Sequence, residues 1–244
     1  MSAFAALAPR RFGRMLVSDA MNVARDPMLV FATLMSAIPS IALFLLRDTI
    51  DAAALDAFGV VGFSRFIVPL ALLTPAFLIG WVTGFLLLED RDERTLTALD
   101  VTPMGKGGFF LYRATVTAIV TAIVTLLGIV LVAPDAGLPA QLLILVLVPA
   151  EAVIAAIVLP AIARNKVEGL ALTKLTNIAS VIPLLALVPS PLRLVAGIVP
   201  SYWFGELLRL PAEPLPFLVV AAAAILTHLV WGVVLFRLFV RRAG

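Results

Sequence analysis

The sequence predicts an all-α integral membrane protein with six transmembrane helices. Two observations support this fold class. First, 62% of the 244 residues are hydrophobic and the mean hydropathy is +1.13. Second, uncharged segments of about 19 residues recur along the chain, and at about 1.5 Å per residue each can cross a hydrocarbon core of about 30 Å. Soluble proteins rarely contain buried helices of this length, so this composition excludes an ordinary globular core.

Residues 10–25 predict an amphipathic helix. Polar or charged side chains recur at helical spacing and apolar residues fill the complementary positions. Because arginines occupy the polar face, we expect this helix to lie in the headgroup plane rather than to cross the membrane; a soluble surface helix is the alternative. Asp26 and Pro27 then predict a cap and the first turn of a new helix. Residues 1–27 therefore form the predicted N-terminal unit, and 28–244 the transmembrane domain.

The predicted spans follow from the apolar segments. They are residues 28–46, 66–88, 109–133, 141–163, 170–189 and 217–239. The fifth is the least regular because Pro183 interrupts it. In the proline-rich outer segment 190–216 we expect short helices at the interface, with Tyr202 and Trp203 at headgroup depth.

The distribution of basic residues predicts the orientation. If the N-terminus is cytosolic, 14 of the 18 lysines and arginines lie in cytosolic segments. The other four, on the outer side, are Arg47, Arg65, Arg193 and Arg209. This bias follows the positive-inside rule, so we expect both termini to be cytosolic. The spread of these residues among loops, without interleaved aromatic residues, argues against nucleic acid as a partner.

The loop 89–108 contains a concentration of charge in a chain where only 14% of residues are charged. Six consecutive charged residues run from Glu89 to Arg94, and Asp90 and Arg94 are spaced as an i,i+4 pair. One helical stripe is formed by Leu88, Asp92, Leu96 and Leu99. The end of the helix is indicated by Thr102, Pro103 and the glycines that follow. This pattern predicts a short amphipathic cytosolic helix, and a solvated turn remains the alternative.

Two ionisable residues lie near the middle of predicted spans, Glu151 in the fourth and His228 in the sixth. A charge at that depth costs about 2.5 to 3.5 kcal/mol on insertion scales. Both are therefore candidates for a transport pathway. The alternative is that both residues have only a packing role, with Glu151 neutral and hydrogen-bonded to a neighbouring helix and the polar atoms of His228 satisfied by hydrogen bonds.

Catalytic signatures are absent from the sequence. Gly105-Lys106 is followed by glycine and lacks the earlier glycine of a phosphate-binding loop. One histidine and no cysteine leave no paired-histidine zinc motif and no Cys-His nucleophile. We therefore predict no enzyme activity, no catalytic residues, no metal site and no cofactor in this chain.

The chain resembles ABC-2 type exporter permeases, and within them small bacterial drug-export permeases of the fluoroquinolone-exporter kind. The resemblance covers nearly the whole chain. It is carried by the amphipathic helix ending at Arg25-Asp26-Pro27, the six spans and the charged loop. Two further stretches fit the pattern, Asn165-Lys166-Val167-Glu168-Gly169 and Pro200-Ser201-Tyr202-Trp203.

The resemblance implies an elbow helix in residues 1–27 and a coupling helix that docks on a separate ATPase subunit. That subunit would bind the ATP, and a second permease chain would complete the pathway. The coupling residues it implies are Glu89, Asp92, Glu93, Arg94, Thr95, Leu96, Leu99, Thr102 and Pro103. Arg94 stands where many relatives have a glycine, so the resemblance implies a difference either in the local backbone or in the ATPase contact.

Two rival functions remain open on the sequence. A proton-coupled secondary transporter would use Glu151, with or without His228, and would need no ATPase. A membrane scaffold that does not transport would tolerate changes both at Glu151 and in the charged loop. An adjacent reading frame for an ATPase would favour the exporter.

Overall fold

The computed structural model describes residues 27–92 and 105–243, and every regular element in these ranges is helical, which confirms the all-α fold. The α-helices are α1 Pro27–Phe58, α2 Ser64–Asp92, α3 Gly105–Val132, α4 Leu138–Ile162, α5 Lys166–Thr176, α6 Trp203–Leu207 and α7 Phe217–Ala243. Between α5 and α6 the chain forms 3₁₀ helices at Asn177–Ser180, Ile182–Leu187, Pro191–Ile198 and Pro200–Tyr202. The predicted helix at 10–25 lies outside the described residues.

Within the described ranges, six helical stretches are long and apolar enough to cross a membrane, so the chain is a multi-pass membrane protein. The fifth, Lys166–Leu187, begins as α5 and continues in 3₁₀ geometry. Pro183 lies in the first turn of its second 3₁₀ helix. A proline there cannot donate the backbone hydrogen bond that a continuous α-helix needs, which accounts for the irregularity.

Helix α1 is longer than the sequence predicted, since it continues past Leu46 to Phe58. The charges at its far end are used in the fold: Asp51 accepts hydrogen bonds from the Ser64 backbone N–H (2.7 Å) and hydroxyl (2.9 Å). Asp51 therefore caps the first turn of α2. Gly59, at φ +68°, then ends α1 in the left-handed conformation that glycine adopts at helix ends.

Helices α2 and α4 form the centre of the bundle and approach each other closely. Gly80 and Gly84 face α4, where a Cβ added to Gly80 would lie 2.5 Å from the Ala152 carbonyl oxygen. A Cβ added to Gly84 would lie 2.8 Å from the carbonyl oxygen of Ala156. Small residues four apart allow two membrane helices to pack backbone to backbone.

The bundle has two ends. At one, which we call the charged end, α2 and α4 finish, α3 and α5 begin, and the last turns of α7 pack on Phe110 of α3. At the other, the opposite end, α1 finishes, α2 and α4 begin, and α6 lies against the start of α7.

Candidate functional site

The charged stretch begins inside helix α2, and its first residues are tied to neighbouring helices. The Arg91 guanidinium donates hydrogen bonds to the carbonyl oxygens of Pro160 (3.0 Å), Ala163 (3.0 Å) and Arg164 (2.9 Å). These carbonyls are at or just beyond the last turn of α4, where helix carbonyls lack partners and the helix dipole attracts a cation. Arg91 therefore fastens the end of α2 to the end of α4.

The two residues before Arg91 contact two further helices. The Glu89 carboxylate pairs with the Lys166 ammonium at the start of α5. The Asp90 carboxylate lies 3.4 Å from the Arg113 guanidinium of α3. Three consecutive residues thus connect α2 to α3, α4 and α5.

The second stretch of the resemblance, Asn165 to Gly169, forms the beginning of α5 against the end of α2. The Asn165 side-chain oxygen accepts from the Glu168 backbone N–H (2.9 Å), and the Glu168 carboxylate accepts from the Arg164 backbone N–H (2.8 Å). This arrangement resembles a capping box, with the Glu168 carboxylate on the N–H of the residue before the N-cap, and it fixes the start of the helix. A Cβ on Gly169 would lie 3.0 Å from Leu88 and 3.2 Å from Phe85, so α5 packs directly on α2.

Most predicted coupling residues lie beyond these contacts. Glu89 and the backbone of Asp92 are described, and both belong to α2. The remaining predicted coupling residues lie outside the described ranges, namely Glu93, Arg94, Thr95, Leu96, Leu99, Thr102 and Pro103. The proposed pair of Asp90 with Arg94 lies outside them for the same reason, whereas the contact of Asp90 with Arg113 is described.

The structure brings together the two ionisable residues of the predicted spans. Oε2 of Glu151 in α4 lies 3.3 Å from Nε2 of His228 in α7, and the two side chains are 5% and 4% exposed. The separation is that of an ion pair, and within the described residues neither atom forms a hydrogen bond. The pair joins α4 to α7 in the interior of the membrane domain.

The tautomer of His228 follows from its second contact. Nδ1 lies 2.7 Å from the Ala224 carbonyl oxygen. A carbonyl oxygen only accepts, so Nδ1 carries a proton and Nε2 faces Glu151. The contact therefore places a carboxyl group of α4 against a ring nitrogen of α7 in the interior of the bundle.

His228 also borders a lateral groove between α4 and α7. The groove has a volume of about 830 Å³, and His228 is the one polar side chain among its described lining residues. Leu142, Val146 and Ile154 form part of the α4 wall and Leu229 part of the α7 wall. This surface can accommodate an apolar molecule or helix beside a single polar group.

A third buried polar cluster, at the opposite end, was not predicted from the sequence. The Glu206 carboxylate is 0% exposed and accepts hydrogen bonds from the Tyr202 hydroxyl (2.8 Å) and from Arg193 Nε (3.1 Å). Burial, together with the hydrogen bond to Glu206, raises the pKa of Tyr202 well above its usual value, so the phenol remains protonated and donates. The cluster ties the 3₁₀ segment Pro191–Ile198 to α6.

The side chains of Tyr202 and Trp203, which were expected at headgroup depth, both point into the protein. Tyr202 is 0% and Trp203 8% exposed, and their rings pack edge to face. The polar atoms find protein partners: Tyr202 contacts Glu206, and Trp203 donates to the Gly197 carbonyl at 2.9 Å. Because both aromatic tips are satisfied internally, neither needs water at the interface.

Comparisons with known proteins give one matching family model and two similar curated proteins. A family model described as "Fluoroquinolones export permease protein Rv2686c-like" matches residues 19–236. The chain is 32% identical, over 98% of each sequence, to the fluoroquinolones export permease protein Rv2686c of Mycobacterium tuberculosis strain H37Rv. It matches the permease protein MT2760 of strain CDC 1551 to the same extent. No solved structure matches the chain.

Proposed function

Because the chain belongs to the Rv2686c-like family of fluoroquinolones export permeases, we propose that it is the membrane subunit of an ATP-driven exporter. In this proposal a separate ATPase subunit binds and hydrolyses ATP, and the chain itself supplies the pathway. The exported compound is lipophilic or amphipathic and drug-like, consistent with the names of the relatives and with the apolar groove between α4 and α7. The charged end faces the cytosol, as the lysine and arginine distribution indicates.

The observation that carries the proposal is the junction formed by Glu89, Asp90 and Arg91. These residues link the end of α2 to α3, α4 and α5 through side-chain contacts at the charged end. A force applied to the loop that follows α2 would therefore reach four helices at once. An ATPase needs such a connection to move a membrane domain by pushing on one loop.

The docking surface follows the junction along the chain. Since Glu89 is occupied by Lys166, we assign ATPase docking to Asp92, Glu93 and Arg94, with Leu96 and Leu99 as apolar anchors. Charged rims set orientation and association rate, while apolar anchors supply affinity. ATP binding would draw the ATPase subunits together, and the linked helices would move as one unit to release the compound outward.

A second permease chain completes the pathway in this proposal. Helices α1 and α7 expose many large apolar side chains, including Phe31, Phe44 and Leu226. These apolar side chains can contact lipid, and they can equally pack against a second copy of the permease chain. Either arrangement keeps both termini cytosolic.

The test is co-purification with a candidate ATPase encoded beside the permease. The double reversal Asp92→Lys with Glu93→Lys should abolish association while membrane insertion persists. The matched control, Asp48→Lys with Asp56→Lys, reverses two exposed acidic residues near the opposite end of α1 and should leave association intact. Association that survives the first pair of changes contradicts the docking assignment.

A second candidate function rests on the Glu151–His228 pair, whose facing atoms can share one proton. A proton-coupled secondary transporter would use this pair to link substrate movement to a pH gradient. Proteoliposomes containing the chain alone distinguish the two functions. Uptake driven by a pH gradient and lost in Glu151→Gln would favour the secondary transporter, whereas a requirement for the ATPase and ATP would favour the exporter.

A further inference from the structure

Three arginines surround one open cavity at the opposite end of the bundle. The cavity has a volume of about 660 Å³, and Arg47 of α1, Arg65 of α2 and Arg209 after α6 contribute to its lining. They are three of the four basic residues that the sequence places on that side of the membrane. The fourth, Arg193, is paired with Glu206.

The three guanidinium groups are exposed and available to a ligand. Among the described residues, none of them forms an ion pair with a carboxylate, whereas Arg113, Lys166 and Arg193 do. The Arg65 guanidinium lies over the Phe66 ring at 4.6 Å from its centroid, which orients the group and leaves its N–H edge free for an acceptor. Asp135 is the acidic residue among the described lining residues, so the cavity is positive by two charges.

The backbone at Arg209 gives an independent indication that its side chain is required there. Arg209 has φ +55° and is the non-glycine residue with positive φ in the described chain. The Leu210 N–H donates to the Gly205 carbonyl (3.0 Å) and the Arg209 N–H to the Glu206 carbonyl (3.1 Å). These two bonds form a Schellman motif, in which this position usually holds glycine because other residues are strained in it. An arginine in this position costs conformational energy that glycine would avoid.

The rest of the lining is apolar. Val68, Val132 and Phe217 contribute to the wall of the cavity. A ligand that fits it therefore combines an anionic group with an apolar body.

We propose that this cavity binds an oxyanion, the carboxylate or phosphate group of an amphipathic molecule. The oxyanion accepts hydrogen bonds from the guanidinium groups, and the apolar body lies against the remaining wall. Two sources supply this chemistry: the carboxylate of an exported compound, an assignment that rests on the proposed function, and the phosphate of a lipid headgroup. Binding should weaken as salt is raised because the arginines are exposed.

Two assays on the full-length chain in detergent, without any ATPase, distinguish the sources. Equilibrium dialysis compares 2-naphthoate with its neutral analogue 2-naphthalenemethanol, with protein-free micelles subtracted. Native mass spectrometry counts phosphatidylglycerol retained from micelles doped with that lipid. Because no ATPase is present, failure of the docking experiment and failure of this one are separate results.

The variant Arg209→Gly separates binding from folding. Glycine suits the backbone at this position, so the unfolding midpoint should be unchanged or higher, while loss of one charged donor should weaken anion binding about tenfold. Arg47→Gln should weaken it as well. Arg237→Gln, which removes an exposed arginine near the charged end, is the matched control and should bind normally.

Each outcome decides the proposal. If the chain prefers 2-naphthoate to the alcohol and Arg209→Gly removes this preference, the cavity is a carboxylate site. If the chain retains phosphatidylglycerol and Arg209→Gly removes this retention, the cavity is a lipid phosphate site. Equal binding of acid and alcohol, together with lipid retention unaffected by Arg209→Gly and Arg47→Gln, overturns it.

Discussion

Replacing Gly80 with alanine tests the close contact of α2 with α4. The added Cβ would lie 2.5 Å from the Ala152 carbonyl oxygen and 2.8 Å from the Ala155 Cβ, whereas ordinary contact begins near 3.4 Å. The helices must therefore separate by several tenths of an ångström or more. Both nearest atoms belong to the helix backbone or to a Cβ, so neither can rotate away.

The magnitude is obtained by comparison with Gly232→Ala. Gly232 lies within α7, and apart from the adjoining backbone of that helix a Cβ there would meet no described atom within 4 Å. Alanine is a better helix former than glycine by about 1 kcal/mol, and that gain is common to both variants. Their difference isolates the packing cost, about 1 to 3 kcal/mol for overpacking a tight interface. Gly84→Ala, whose Cβ would lie 2.8 Å from the Ala156 carbonyl oxygen, should fall between them.

The assay is unfolding by sodium dodecyl sulfate from dodecyl maltoside micelles, followed by circular dichroism at low protein concentration. We expect the midpoint to fall for Gly80→Ala, to fall less for Gly84→Ala, and to hold or rise for Gly232→Ala. Equal shifts for Gly80→Ala and Gly232→Ala would refute the reasoning, because the α2–α4 contact would then have no energetic consequence.

Three other substitutions test the polar contacts. Arg91→Gln should lower the unfolding free energy by about 1 to 3 kcal/mol, because three charge-assisted hydrogen bonds to carbonyls at the end of α4 are lost; the ATPase should still co-purify, while drug-stimulated ATP turnover falls. His228→Leu alone should cost about 3 to 5 kcal/mol by leaving the Glu151 carboxyl buried without its partner, and the double change Glu151→Leu with His228→Leu should recover most of that loss in the same unfolding assay. Thr121→Val should leave the midpoint unchanged or raise it, because within the described chain the buried Thr121 hydroxyl has no hydrogen-bond partner. A lower midpoint for Thr121→Val would instead indicate a bridging water.

Hydropathy predicted the number of spans because the membrane imposes a minimum apolar length on each crossing helix. It did not predict where α1 ends. Arg47 and Asp48 resemble the end of a span, yet the helix continues for three more turns, and Asp51 uses that extension to cap α2. Whether a charge stops a helix or serves a neighbouring element depends on tertiary contacts that a single sequence does not contain.

The polar sites were predicted as residues but not as partners. Glu151 and His228 were each identifiable because charge is costly inside a span. Their pairing depends on which faces of α4 and α7 meet, and in an isolated sequence nothing fixes that rotation. Glu206 was missed because it lies among prolines in a segment that reads as an interface loop. A signal was present, since Tyr202 and Glu206 are spaced four apart as neighbours on one helical turn.

The consecutive charges at the end of α2 have a geometric reading that hydropathy does not give. Successive residues of an α-helix point about 100° apart, so a solvated face would repeat every three or four residues and would leave apolar residues between. Three adjacent charged residues instead point in three directions. Glu89 reaches α5, Asp90 reaches α3 and Arg91 reaches the end of α4. An uninterrupted run of charge at the end of a span is therefore what a junction of several helices requires.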